Sequence, residues 1–255
     1  MRLASLLYFA AFSLLPLMAL QGRRVRRTTP LLPEAGGPAQ GRTSGSGEPL
    51  RMLVLGESTA AGCGVSVHAD ALAGQLAATL TEQLRRPVAW RVVGRNGVTA
   101  KVTRQNLLPL VPLEPVDLAV IVLGVNDTKN LTPLQRWRTD LQMLFFDLRV
   151  RVGPARLLVS GVPPMEMFPA LPAPLRQFLG LRAARMDAAL RQVVFQTDQA
   201  AYGGPLTGLN PAMFSIDRFH PGASGYARWA AGLSAHAVDL LTAAGSSTPA
   251  PPRPR

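Results

Sequence analysis

The chain has 255 residues, of which 47% are hydrophobic and 16% charged, proportions of a packed domain that exclude wholesale disorder. Its 23 glycines and 23 prolines follow no triplet period, which excludes collagen, and one cysteine, Cys63, excludes an internal disulfide. The formal charge of +12 is unevenly spread: residues 1–50 hold six arginines against Glu34 and Glu48, Arg253 and Arg255 add two more positive charges, and Arg51–Ala243 keeps +6 from 19 basic and 13 acidic residues. No dense basic run or basic-aromatic alternation lies within that segment, so no nucleic-acid partner is expected. No Cys/His cluster has zinc-ligand spacing, and no metal is expected.

In chain order, the first feature is Leu3–Leu20, 18 residues without a charge. As a helix it measures about 27 Å, against a hydrocarbon core of about 30 Å. Arg23, Arg24, Arg26 and Arg27 follow and read as a membrane-surface contact. No small-x-small pattern near Leu17–Leu20 marks a cleavage site, so residues 1–27 are expected as a retained anchor, the alternative being an export signal removed on secretion. The arginines favour the cytoplasmic side for the domain behind them. Residues 28–50, with the polar Thr43–Glu48, read as a flexible linker rather than part of the fold, and 244–255 as a disordered Pro-rich tail.

From Arg51 to Ala243 one domain is expected. Met52–Leu55 reads as a buried strand, Ala69–Leu84 as a helix with leucines at 72, 76, 80 and 84, and Pro87–Val93 as a second strand. Leu118–Leu123 and Leu157–Val159 are the third and fourth. Thr99–Leu108 and Pro133–Val150 are long enough for crossovers, the latter with a helical stripe of Leu134, Trp137, Leu141, Leu144 and Leu148. Helices are expected at Leu175–Gln196, interrupted or kinked around Gly180, and at Gly222–Leu241. This alternation specifies an α/β fold with a parallel sheet between helical layers, whose ligands bind beyond the carboxyl ends of the strands.

The residues beyond those ends carry chemistry. Ser58, in Gly56-Glu57-Ser58, follows the first strand and is a candidate nucleophile. Gly97 follows the second, and Gly124-Val125-Asn126-Asp127 the third; a backbone N–H at Gly97 and the Asn126 amide are candidate donors to a developing oxyanion. Asp217 and His220, in Asp217-Arg218-Phe219-His220-Pro221, supply a carboxylate and an imidazole from one loop, a base with its orienter. His68 with Asp70 is the rival pair, and His236 is expected to be structural or at the surface. The Pro-punctuated segment with Met165, Met167, Phe168, Leu171 and Phe178 reads equally as an acyl pocket or a packed surface loop.

These four segments, in this order, resemble the SGNH subgroup of the GDSL-type esterases and lipases, from Arg51 to about Leu241. Gly56-Glu57-Ser58 stands where the family usually has Gly-Asp-Ser, Gly97 matches the second block, Gly124–Asp127 the third and Asp217–Pro221 the fifth. The resemblance implies a flavodoxin-like three-layer α/β/α domain (the SGNH hydrolase fold) and hydrolysis of carboxylic esters with no metal or organic cofactor. It implies Ser58 as nucleophile, His220 as base, Asp217 as its orienter, and an oxyanion hole of Ser58, Gly97 and Asn126. A lipid ester and a small acetyl ester on a sugar remain as substrate classes. An acyltransferase on the same site and a non-catalytic membrane-tethered binding module are the alternative functions.

Overall fold

A strand buried on both faces must be apolar at every position, and Leu118–Val122 is buried at all five. It lies inside a six-stranded sheet in the computed structural model of the protein, which describes residues 2–243. The expected tail at 244–255 falls outside the described residues.

In chain order the principal elements are α1 (Arg2–Thr28), β1 (Gln40–Arg42), β2 (Leu50–Gly56), α2 (Leu72–Leu84), β3 (Val88–Gly94), α3 (Ala100–Val102) and β4 (Leu118–Val122). There follow α4 (Val125–Lys129), α5 (Leu134–Val152), β5 (Arg156–Val159), α6 (Leu175–Phe195), β6 (Ala200–Tyr202) and α7 (Ala223–Thr242). The strand order is β1-β3-β2-β4-β5-β6, with β1 antiparallel to its neighbour and all other pairs parallel. The order reverses beside β2, so the ends of β2, β3 and β4 bound the crevice where doubly wound sheets bind ligands.

The period of two along each strand sends alternate residues to opposite layers. Leu53 and Leu55 of β2 join Ile121, Trp137, Leu141, Leu144 and Met186 under α5 and α6. Met52 and Val54 join Val120, Leu72, Leu76, Leu80, Tyr226 and Trp229 under α2 and α7. Each fully buried leucine contributes roughly 1.5–3 kcal/mol, and this two-sided burial holds the three α/β/α layers together. Two large polar side chains carried into the core are paired: Trp137 Nε1 donates to Met186 O at 3.0 Å and Tyr226 Oη to Cys63 O at 2.7 Å. The second bond ties α7 to the turn that carries Ser58.

Three expectations need correction. The segment 28–50 is not a free linker: β1 pairs with β3 from Gln40 to Arg42, Thr43 exchanges hydrogen bonds with Val88, and Glu34 Oε1 accepts from Asn96 N at 2.7 Å. A three-residue edge strand rich in polar residues carries too little alternation to read from sequence. The amino-terminal helix is likewise not held apart from the domain, because Met18 and Val25 of α1 pack against the α5/α6 core. Finally, α6 is unbroken across Gly180; the glycine is there because a Cβ would lie 2.5 Å from Glu166 Oε2, a close approach rather than an interruption. β6 is an addition, a short half-buried strand that sequence patterning does not single out.

Candidate active site

β2 ends where the backbone crowds β4. A Cβ at Gly56 would lie 2.0 Å from Val122 O, so only glycine lets β2 leave the sheet at this point. Glu57 N then donates to Val122 O, and the chain turns through Ser58 to Gly64. Ser58 sits at the carboxyl edge of the sheet with its hydroxyl directed to the loop before α7. Ser58 Oγ lies 3.0 Å from His220 Nε2, and His220 Nδ1 lies 2.6 Å from Asp217 Oδ2. Residues 162 positions apart in the chain meet there.

Asp217 is buried, and burial alone would raise its pKa. Hydrogen bonds from the His220 ring, from the N–H groups of His220 and Phe219 and from the Ser215 hydroxyl outweigh it and hold the carboxyl down at about 2. An ionised Asp217 accepts a hydrogen bond from His220 Nδ1–H, which keeps the proton on Nδ1 and leaves Nε2 as the acceptor for the Ser58 hydroxyl.

On the other side of Ser58, the loop after β3 and the first turn of α4 supply donors. No hydrogen bond among the described residues takes the N–H of Ser58 or of Gly97. Gly97 has φ of +83° with open space at its Cα, so nothing bars a ligand's approach. Asn126 is buried, and one N–H of its side-chain amide donates to Glu57 Oε2 at 2.5 Å. A primary amide has two N–H groups, so the second remains for a ligand oxygen.

Sequence reasoning named these residues but missed two that set them. Glu57, buried beneath α4, accepts from Val125 N and Asn126 N, both at 2.9 Å, as well as from the Asn126 amide. Burial pushes its carboxyl up to about 7, against the pull of the Asn126 and Val125 N–H groups and the Lys129 charge. Asp127, buried and pushed up to about 6 by that burial, accepts from Ala100 N at 2.9 Å and from the Thr132 hydroxyl at 3.0 Å. It therefore ties the Gly97 loop to the Asn126 turn. The adjacency of Glu57 to Ser58 and of Asp127 to Asn126 was the available signal.

The rival residues lie elsewhere. His68 is buried with Nδ1 unpartnered, its pKa lowered by loss of solvent, and no hydrogen bond joins it to Ser58 or Asp70. His236 is exposed on α7. Of the Pro-punctuated segment, Phe168 and Pro163 line a cavity of about 30 Å³ against Ser58 and His220. Met165 and Leu171 pack into the core, while Met167 and Phe178 are exposed. The rest of the cavity wall comes from Leu206, Leu209, Phe214, Phe219 and Trp229.

A family model described as the GDSL-like lipase/acylhydrolase family matches residues 54–228, which contain every residue of this constellation. The chain belongs to that family. The hydrolase is 30% identical over 219 residues to a GDSL-like esterase of Mycobacterium tuberculosis, a match spanning 81% of this chain and 68% of the relative. Solved structures of similar fold include a family 3 carbohydrate esterase of Clostridium thermocellum, with TM-score 0.59 at 16% identity over 77% of this chain and 99% of that one. TesA is similar at TM-score 0.59 and 20% identity, over 74% of this chain and 99% of that one. The protein is thus a carboxylic ester hydrolase of SGNH/GDSL type with a three-layer α/β/α fold.

Proposed function

We propose that the enzyme cleaves short-chain acyl esters through an acyl-enzyme on Ser58. The observation that carries this reading is the 3.0 Å contact from Ser58 Oγ to His220 Nε2 backed by the 2.6 Å contact to Asp217. His220 takes the Ser58 proton as Oγ attacks the carbonyl carbon, and the oxygen that becomes negative is met by the N–H groups of Ser58 and Gly97 and the free amide N–H of Asn126. The C–O bond to the alcohol then breaks, His220 returns its proton to the departing oxygen, and the acyl group stays on Ser58. Water attacks that ester, giving its proton to His220, and Ser58 is regenerated with release of the acid.

The short acyl chain follows from space. The cavity beside Ser58 is small, about 30 Å³, and is walled by Phe168, Phe214, Phe219 and Trp229. These rings leave room for a small acyl group and stand in the path of a long one while they hold their places. Replacing Ser58 with Ala is expected to abolish turnover of a chromogenic acetyl ester with the circular dichroism spectrum unchanged; retained turnover overturns the assignment.

Membrane association is proposed through α1. Leu14, Leu15, Leu17 and Leu20 are exposed on it, followed by exposed Arg23, Arg24, Arg26 and Arg27. No helix among the described residues is long and apolar enough to cross a membrane, so the contact proposed is with a surface. Co-sedimentation with anionic vesicles, lost when the four arginines become Gln, is the expected result. Equal recovery with and without vesicles contradicts it.

A further inference from the structure

Lys129 ends α4 above Phe219, an aromatic residue of the cavity wall. Its ammonium lies 5.1 Å from the ring centroid, and the same ring meets the His220 imidazole edge-on at 5.2 Å. Phe219 is itself wedged against Phe168 at 5.0 Å. An aromatic face attracts a cation without neutralising it, so the Phe219 contact holds the ammonium beside the ring that His220 meets. None of the ion pairs among the described residues includes Lys129. Glu57 is the acid that faces it, but both Glu57 oxygens are already occupied by the three N–H groups of α4.

An ammonium left out of every ion pair among the described residues, at the wall of a cleft, favours the approach of an anion.

We infer that Lys129 selects esters whose alcohol portion carries an anionic oxygen group, a phosphate or a carboxylate. The inference rests on the Ser58 reading: with the acyl group in the cavity, the alcohol portion extends past Phe219 toward the ammonium.

The test uses the full chain and three aryl acetates, phenyl acetate, 4-acetoxybenzoate and 4-acetoxyphenyl phosphate, which are neutral, carboxylate-bearing and phosphate-bearing. For Lys129→Met, kcat/KM for the two anionic esters is expected to fall about tenfold more than for phenyl acetate, chiefly through KM. Added salt narrows the wild-type preference. The larger effect on one anionic ester distinguishes phosphate from carboxylate. Equal losses on all three esters for Lys129→Met, or a wild-type enzyme that hydrolyses phenyl acetate with no anionic preference, overturns the inference alone. Failure to hydrolyse any of the three, with Ser58 unlabelled by a fluorophosphonate, overturns the Ser58 reading and the inference with it.

Discussion

Glu57 and Asn126 are joined twice: Glu57 Oε2 accepts the Asn126 backbone N–H at 2.9 Å and its side-chain amide at 2.5 Å. The residue that precedes the proposed nucleophile thereby orients the side chain proposed to stabilise the oxyanion. One carboxylate couples the two halves of the site.

Glu57→Gln puts an amide N–H against a donor of α4 whichever way it turns. The expected result is a fall of roughly 10- to 100-fold in kcat with a smaller change in KM, because the loss falls on the transition state. The same variant has a stability signature. A carboxyl held at about 7 in the fold, against 4.5 outside it, binds its proton more tightly when folded. Its contribution is full below about pH 4.5 and is lost as pH rises through 7. Urea melts between pH 4.5 and 8 should show this decline in the wild type and a flatter curve in Glu57→Gln.

Asn126→Ala removes a proposed oxyanion donor and releases one Glu57 bond. Turnover of an acetyl ester should drop by about 10²- to 10³-fold, while phosphonylation of Ser58 still occurs at a reduced rate. A change below threefold in steady-state kinetics would mean that Asn126 serves only to hold α4.

In the proposed mechanism Asp217 acts through its ionised form. Its pKa of about 2 lies below the ordinary carboxylate value of 3.8, so it contributes stability that is complete above about pH 4 and is lost as pH falls toward 2. Asp217→Asn should remove that acid-side loss in denaturation curves. It should also lower kcat by about 10³- to 10⁴-fold, since an amide no longer enforces the productive His220 tautomer.

Much of this was written in the sequence, and for physical reasons. Strands such as Leu118–Val122 are buried on both faces and therefore read as unbroken apolar runs. Trp137, Leu141, Leu144 and Leu148 mark α5 because a helix buried on one side needs that spacing. Ser58, Gly97, Asn126, Asp217 and His220 stood out because glycines and polar residues after apolar runs mark strand ends. The edge strand β1 was hidden, since three residues with an exposed-intermediate-exposed pattern look like any polar loop. Docking of α1 through Gln21 depends on partners more than 150 positions away, which no local pattern encodes. Glu57 was visible as a departure from the usual Gly-Asp-Ser, but its task became clear only when α4 was seen to begin on it.

Phe168, nearly fully buried, seals the cavity beside Ser58 and stacks edge-on with Phe214 and Phe219 at 5.6 and 5.0 Å. Phe168→Ala should cost about 3–5 kcal/mol of stability. It should also raise the kcat/KM ratio of hexanoyl to acetyl ester, measured with one chromogenic alcohol. An unchanged ratio would place the acyl group elsewhere.

The most direct test of the Ser58 acyl-enzyme is peptide mapping by mass spectrometry after reaction with a fluorophosphonate. The adduct is predicted on the peptide containing Ser58, absent in Ser58→Ala and strongly slowed in His220→Ala. An adduct on a different serine, or an unmodified Ser58 in enzyme that the reagent has inactivated, would contradict the account.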